Sequence, residues 1–333
     1  MDLPHGNIVV TGATGFLGFR ILERLAESGF PGKIIAAGRT MKPGAIVTGE
    51  NITYLLGDLS DPAYVESLFS HSPRYVINCA ALSSPWGTYE EFFHANVLSQ
   101  QHLIAFSEKY RISRFVYIST PSMYFDFHHR WNIRESDPLP RKFVNHYAAT
   151  KREAEILLEK SSLEWISLRP RALTGRGDTV IMPRVIRACD EGKLRVIGKG
   201  DNQVDITPVS NVVDAVMLAL SAPVQACGQP YNISNGDPVL LWKMLGGVLQ
   251  RLNRNLPDRK VPFAVAMAAA TLMETTARLS RAKKEPALTR YSVGTIGLSF
   301  SMDITHAKNR LGYTPRQSVA EAIDEFVEWY KQH

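Results

Sequence analysis

The stretch Ile8-Val9-Val10-Thr11-Gly12-Ala13-Thr14-Gly15-Phe16-Leu17-Gly18 decides the fold of this chain. Four β-prone residues run into three glycines spaced three apart, and an amphipathic segment predicted as a helix over Phe16–Ser28 follows at once. A strand, a glycine turn and a helix N-terminus bring backbone N–H groups and the positive end of the helix dipole to one point. This arrangement binds a pyrophosphate. We therefore expect the turn to hold a dinucleotide through Gly12, Thr14, Gly15, Phe16, Leu17 and Gly18.

The same strand-and-helix alternation continues through the first half of the chain. Strands are predicted at Asn7–Thr11, Lys33–Ala37, Ile52–Leu56, Arg74–Cys79, Arg114–Ser119 and Leu163–Leu168, and further helices at Pro62–Ser70, Thr88–Tyr110 and Tyr147–Lys160, the last capped by Asn145. The pattern predicts an α/β fold: a Rossmann-type, doubly wound parallel sheet. We expect a dinucleotide-binding domain over 1–170 and a smaller, mainly substrate-binding part over 171–333, with some segments returning to the sheet.

Composition excludes several classes of protein. The 333 residues are 45% hydrophobic and 21% charged, which is typical of a folded globular protein. The 38 Lys and Arg against 32 Asp and Glu are spread along the chain, so no nucleic-acid partner is expected. Cys79, Cys189 and Cys227 are an odd number with no CxxC pair, which fits neither disulfides nor a metal site. With no export signal at the start, we expect a cytoplasmic protein.

The end of the second predicted strand bears on the choice of dinucleotide. An acidic residue there would bind the adenosine ribose hydroxyls, but the sequence reads Ala37-Gly38-Arg39. A guanidinium can pair with a 2′-phosphate, so NADP(H) is preferred; NAD(H) stays open, with Arg39 a solvated turn residue. Asp58 and Leu59 follow the third strand, and Asp58 is expected to accept from the adenine amino group. The small Ala80 and Ala81 follow the fourth and leave room for the cofactor.

Tyr147 and Lys151 stand four residues apart and share one face of the predicted helix. A phenol with a pKa of about 10 is a poor acid or base at neutral pH, and we expect the ammonium to pull it downward. The same ammonium is expected to hold the nicotinamide ribose hydroxyls. The fifth strand leads into the hydroxyls of Ser119, Thr120 and Ser122, one of which should hydrogen-bond a reacting carbonyl oxygen.

Together, TGATGFLG, Asp58-Leu59, the Ser-Thr strand end and Tyr-x-x-x-Lys resemble the extended short-chain dehydrogenase/reductase superfamily, the NAD-dependent epimerase/dehydratase family. The resemblance implies a catalytic tetrad of Asn96, Thr120, Tyr147 and Lys151. It places Ser119 beside the nicotinamide and adds Pro170 to the cofactor-binding candidates. Thr120 stands where serine is commoner in the family.

The segments Leu168–Gly175 and Val209–Val213 are similar to the 3β-hydroxysteroid dehydrogenase-like branch, including the 2-alkyl-3-oxoalkanoate reductases. This implies hydride transfer between a nicotinamide and a ketone or secondary alcohol of a hydrophobic β-keto acid, β-hydroxy acid or steroid-like molecule. Ser122 and Arg171 are candidate substrate-binding residues. Arg171 would clamp a carboxylate, or instead form a structural ion pair or contact the pyrophosphate. A nucleotide-sugar epimerase with tightly bound NAD and a non-catalytic dinucleotide sensor stay as alternatives.

Two further segments have open roles. The helix predicted at 262–279 is apolar along Phe263–Met273, which is followed by Arg278, Arg281, Lys283 and Lys284. It could be core, a dimer contact, a lid over an acyl pocket or a membrane-surface helix. The aromatic loop Phe125–Asn145 is expected to line the substrate entrance or to pack over the sheet edge. Its His128-His129 pair has no carboxylate or cysteine at ligand spacing, so no metal is expected. A homodimer is expected from similar folds.

Overall fold

The computed structural model describes residues 4–41, 44, 46–280, 282 and 284–333. In chain order the strands are β1 (Asn7–Thr11), β2 (Ile34–Gly38), β3 (Ile52–Leu56), β4 (Pro73–Asn78), β5 (Arg114–Ile118), β6 (Arg130–Ile133), β7 (Trp165–Pro170), β8 (Leu173–Thr174), β9 (Val196–Ile197), β10 (Gln203–Val204), β11 (Thr207–Pro208), β12 (Gln229–Ile233), β13 (Val239–Leu240), β14 (Lys260–Val261) and β15 (Phe300–Met302). The helices are α1 (Phe16–Glu27), α2 (Pro62–Phe69), α3 (Tyr89–Phe92), α4 (Ser99–Lys109), α5 (His146–Glu159), α6 (Ile181–Asp190), α7 (Val209–Ser221), α8 (Leu241–Arg251), α9 (Phe263–Leu279), α10 (Arg290–Gly297), α11 (Thr305–Leu311) and α12 (Val319–Gln332).

The central sheet has seven parallel strands in the order β12-β7-β5-β4-β1-β2-β3. The predicted doubly wound α/β fold is therefore confirmed. The order reverses at β1, whose neighbours are β4 and β2, and open α/β sheets bind ligands at such a switch point. Helices cover both faces: Ile8 and Val10 pack with α1 and α7, whereas Val9, between them, packs with α2, α4 and α5.

The seventh strand, β12, was not predicted. It lies in the irregular second half of the chain, where Gln229–Ile233 pairs with Ile166–Pro170 of β7. A five-residue run with one proline and two polar residues gives little periodicity. Its burial comes from α7 and α11, which pack over Tyr231 and Ile233. Asn232 in this strand is fully buried, and its Nδ2 donates to the Ile133 carbonyl at 3.0 Å.

The predicted helix over 88–110 is interrupted. Tyr89–Phe92 is α-helical, Phe93–Leu98 forms a π-helical turn, and α4 continues from Ser99. Such π-turns occur mostly inside α-helices and frequently at functional sites. The predicted N-cap of α5 is confirmed, because the Asn145 side chain accepts a hydrogen bond from the Ala148 N–H at 2.9 Å.

The second half adds a smaller sheet in the order β13-β10-β15-β6. Its strand β6 corrects the prediction of a continuous loop over 125–145, because Arg130–Ile133 pairs with β15 instead of staying irregular. Phe125 is buried against Phe300, whereas Trp131 is 56% exposed and stacks on His129.

Helix α9 lies at the surface. It packs inward through Ala266 and Ala270, while Val265, Leu272 and Leu279 are exposed. The lid, membrane-surface and dimer readings of this segment stay predictions, and Arg281 and Lys283 of its basic end lie outside the described residues. Across the portion of the chain described, no helix has both the length and the apolarity to span a bilayer.

Candidate functional site

The glycine turn after β1 forms a bare backbone cradle. Gly12 has φ = +65°, and a Cβ on Gly18 would lie 2.2 Å from the Gly12 carbonyl oxygen. The α1 N-cap is Gly15, and no side chain caps the helix. The first N–H groups of α1 therefore lie open beside the turn, as a pyrophosphate requires.

A cleft of about 540 Å³ opens at the carboxyl ends of β1, β2 and β4. It brings together the predicted cofactor residues Gly12, Thr14, Gly15, Arg39, Asp58, Leu59, Ala80 and Ala81. Phe16, Leu17 and Gly18 form the first turn of α1 beside it. The sequence did not point to Leu82, His94 and Ser99, which also line the cleft and come from the β4 loop and the interrupted helix. Ser119, Tyr147, Lys151 and Pro170 are not in this lining.

Arg39 and Asp58 set the charge at the rim of this cleft. One Asp58 oxygen accepts from both the backbone N–H and the hydroxyl of Ser60, each at 2.8 Å. The backbone bond is the main reason that the pKa of Asp58 is lowered, and Arg39 contributes. The Arg39 side chain is exposed and forms no ion pair within the described residues. A fixed carboxylate and a guanidinium without an ion pair in the described part of the chain thus border this end of the cleft.

Asn96 joins the π-turn to two neighbouring elements. Its Oδ1 accepts from the Leu82 N–H at 2.8 Å, and its Nδ2 donates to Thr150 Oγ1 at 3.0 Å. The side chain is almost completely buried. Asn96 therefore fixes the loop after β4 against α5, one residue before Lys151.

Tyr147 and Lys151 do not form the predicted electrostatic pair. Desolvation raises the pKa of the half-buried Tyr147 phenol, and a hydrogen bond with Thr120 only partly opposes this. The predicted lowering of the phenol pKa by the ammonium is therefore wrong for the chain itself. Lys151 Nζ donates to the Ile118 carbonyl at 2.6 Å and lies 4.0 Å from the centre of the Tyr117 ring. Its pKa is lowered to about 7, chiefly by burial.

A buried ion pair supports Lys151 from behind. Glu155, one turn further along α5, bonds Arg169 of β7 at 2.6 Å and accepts from Ser167 at 2.7 Å. Burial disfavours ionisation of Glu155, but Arg169 outweighs it and the carboxyl pKa is lowered. The resulting carboxylate opposes the loss of the Lys151 proton.

Three hydroxyls meet beyond the carboxyl end of β5, on the side predicted to bind the substrate. Thr120 Oγ1 donates to Ser122 Oγ at 3.0 Å, and Ser122 Oγ lies 2.8 Å from the Tyr291 hydroxyl. Thr120 also acts on Tyr147, where it opposes the rise of the phenol pKa. Tyr291, on α10, was missed by the sequence reasoning because 169 residues separate it from Ser122 and no local motif surrounds it.

Arg171 is a buried cation on the same side. Arg171 is only 8% exposed, and its guanidinium carbon lies 4.3 Å from the centre of the Phe300 ring. Among the residues that the structure describes, no carboxylate lies within 4.0 Å of it, and its Nε has no hydrogen-bond partner. Burial lowers its pKa, while Tyr291 and Asp205 act in the opposite direction. The predicted alternative of a structural ion pair is thereby disfavoured.

No group of three or more His, Cys, Asp or Glu side chains is placed to bind a metal ion in the described ranges. His129 instead accepts a hydrogen bond from the Ser299 N–H at 3.0 Å.

Comparison with known proteins fits this geometry. Residues 8–234 match the model of the NAD dependent epimerase/dehydratase family. The chain is 31% identical to the uncharacterized protein YbjS of Escherichia coli (98% of both chains covered) and 32% identical to a 2-alkyl-3-oxoalkanoate reductase of Stenotrophomonas maltophilia (95% and 97%). It is 30% identical to an Arabidopsis thaliana 3beta-hydroxysteroid-dehydrogenase/decarboxylase (96% and 79%).

Solved structures show the same fold. The Bordetella bronchiseptica enzyme WbmH in complex with NAD+ superimposes with a TM-score of 0.76 at 19% identity, over 98% of this chain and 99% of that one. The UDP-glucose 4-epimerase of Thermotoga maritima gives 0.76 at 21%, with the same coverage. The family match covers well over half of the chain, and the relatives span nearly all of it. This chain belongs to the NAD-dependent epimerase/dehydratase family.

Proposed function

We propose that the chain is an NAD(P)(H)-dependent oxidoreductase that interconverts a ketone and a secondary alcohol on a hydrophobic substrate. The observation that carries this proposal is the placement of Tyr147 on α5 one turn before Lys151, whose Nζ donates to the Ile118 carbonyl at 2.6 Å at the carboxyl end of β5. Relatives named as a 2-alkyl-3-oxoalkanoate reductase and a 3beta-hydroxysteroid-dehydrogenase/decarboxylase support it.

The bare cradle and the cleft fit a nicotinamide dinucleotide. The α1 N-terminus would hold the pyrophosphate, Asp58 the adenine amino group, and Lys151 the ribose hydroxyls of the nicotinamide. The unpaired Arg39 favours NADP(H), because its guanidinium suits a 2′-phosphate. The bound nicotinamide would supply or take up the hydride.

The chain's own residues handle the proton. Tyr147 carries its proton at neutral pH, because burial raises a phenol pKa that is ordinarily already about 10, and it can donate that proton to a ketone oxygen that gains negative charge. Thr120 holds that oxygen in place. Once the phenolate forms, Lys151 would stabilise it in the protonated form that Glu155 favours, and Asn96 keeps the supporting loop against α5. In the reverse direction the phenolate accepts the alcohol proton.

Arg171 indicates that the substrate carries an anionic group near the ketone. A buried cation without a counter-ion is costly, and a substrate carboxylate would complete its hydrogen bonds. The Phe300 ring under the guanidinium makes this part of the site partly apolar. A hydrophobic 3-oxo acid, or the corresponding 3-hydroxy acid, carries both features.

The test is a nicotinamide absorbance assay with NADPH and NADH against 3-oxo acids, 3-ketosteroids and nucleotide sugars. We expect turnover with a 3-oxo acid, net conversion of the reduced cofactor to its oxidised form, and preference for NADPH. Conversion of a nucleotide sugar with bound NAD that never exchanges would instead make the chain an epimerase. Dinucleotide binding with no turnover of any substrate would favour the sensor.

A further inference from the structure

The hydroxyls of Thr120, Ser122 and Tyr291 form a continuous chain that ends beside the proposed reacting oxygen. The Thr120–Ser122 step is 3.0 Å and the Ser122–Tyr291 step is 2.8 Å, and either partner can donate in the second. Ser122 is 95% buried, so its hydroxyl depends on these two protein partners. At Ser122, the direction of the protons therefore depends on which of Thr120 and Tyr291 donates to it.

Counting protons shows what Thr120 needs. Its one hydroxyl proton points to Ser122 Oγ, while its oxygen accepts the Ser122 N–H at 3.1 Å. Thr120 cannot donate to a substrate oxygen in that arrangement. It can do so if Ser122 reverses and donates to Thr120. Ser122 Oγ then needs a donor of its own, and the Tyr291 O–H stands within reach.

We propose that Tyr291 is a positioning residue that donates to Ser122, so that Ser122 donates to Thr120 and Thr120 donates to the ketone oxygen. This inference rests on the proposed function. Aligned hydroxyls polarise one another, so the terminal donor strengthens the bond that Thr120 makes to an oxygen gaining negative charge.

The surroundings of Tyr291 hold it for this role. Its ring packs edge-on against Phe125, with centroids 6.0 Å apart and planes at 88°. Among the described residues, the Tyr291 hydroxyl has Ser122 Oγ as its hydrogen-bond partner.

The experiment compares Tyr291→Phe, Ser122→Ala and the double variant in steady-state reduction of a 3-oxo acid. Removing a hydrogen-bond donor that touches the reacting oxygen lowers kcat by about 100-fold or more. Tyr291 acts on that oxygen only through Ser122 and Thr120, so we expect a smaller fall in kcat, roughly tenfold, in Tyr291→Phe. KM for the ketone should hardly change. The double variant should be no slower than Ser122→Ala, because Tyr291 acts through Ser122.

Cofactor affinity and melting temperature are measured for each variant, and the matched control is Tyr110→Phe, a partly exposed tyrosine at the end of α4. An undiminished kcat in Tyr291→Phe contradicts the inference. So does a loss confined to KM, which would mean direct substrate contact, or a double variant as slow as the product of the two single effects. A wild-type chain that reduces no ketone contradicts the proposed function as well.

Discussion

The two sides of the candidate site are built differently. The proposed cofactor side uses short segments that each lie at or just after the end of a strand: Gly12–Gly18, Gly38–Arg39, Asp58–Leu59 and Ala80–Ala81. The proposed substrate side joins Ser122, Arg171, Tyr291 and Phe300, which are scattered over nearly 180 positions. Local sequence patterns thus predict the first side, whereas only tertiary packing creates the second.

The two sides also differ in their polar groups. On the cofactor side, backbone N–H groups and Arg39 lie in an open cleft where water can satisfy them. On the substrate side, Arg171 and Asp205 are buried, and each has an atom without a partner. Burying such groups costs stability, which is tolerated where a ligand completes them.

Gly18→Ala tests the cofactor side with the largest expected effect. The added Cβ would collide with the Gly12 carbonyl, so we expect dinucleotide binding to weaken by more than about 100-fold and the melting temperature to fall. The matched control is Gly247→Ala in α8, where a Cβ meets nothing within 4 Å. Because alanine is the better residue inside a helix, we expect Gly247→Ala to raise the free energy of unfolding by about 0.5–1 kcal/mol. Unchanged dinucleotide affinity in Gly18→Ala would refute the cradle.

Arg171→Met tests the substrate side. A charged hydrogen bond contributes about 1.5–3 kcal/mol, so we expect KM for a 3-oxo acid to rise roughly 10- to 100-fold. A ketone of the same chain length without the carboxylate should be affected little. The exposed Arg187→Met serves as the control. An equal loss with both ketones would show that Arg171 does not bind the carboxylate.

Arg39→Ser tests cofactor selectivity. Losing a phosphate-pairing guanidinium should weaken NADPH binding about tenfold and leave NADH binding nearly unchanged. Fluorescence titration of both reduced cofactors measures this. If the two affinities change together, Arg39 is not the selectivity residue.

Asp205→Asn tests whether the buried Asp205 carboxylate lowers the free energy of unfolding. The pKa of Asp205 is raised from 3.8 to about 6, mainly by burial. Between pH 3.8 and about 6, Asp205 is protonated in the folded state but ionised in the unfolded state. The free energy of unfolding therefore falls as the pH rises through this window, and the full cost of burying the Asp205 carboxylate is reached above about pH 6. We expect the variant to be about 1–2 kcal/mol more stable than wild type at pH 7, with the gain absent below about pH 4. A gain independent of pH would contradict this explanation.

Sequence reasoning reached the parallel sheet and the family, and both are confirmed. The sheet and the family could be predicted because they depend on local sequence patterns: glycines at a strand end, alternating strands and helices, and a Tyr-x-x-x-Lys spacing. It correctly placed Tyr147 and Lys151 on one helix, but it predicted a lowered pKa for the Tyr147 phenol. The pKa is raised instead, because the phenol is buried and the sequence alone does not reveal that burial.

What the sequence did not predict depends on long-range contacts. Strand β12 exists because β7 offers an unpaired edge, and Tyr291 reaches the site because α10 packs against Phe125. Neither segment carries a distinguishing local pattern. The unpaired state of Arg171 is likewise a property of its surroundings, although the residue itself was singled out.

The most direct measurement is the turnover of Tyr147→Phe with NADPH and a 3-oxo acid, with cofactor binding measured on the same sample. The phenylalanine keeps the ring and removes the proton donor. We predict that NADPH binds as in the wild-type chain while turnover falls by about 100-fold or more. Turnover close to wild type, with the cofactor bound, would contradict the assignment of Tyr147 as the proton donor.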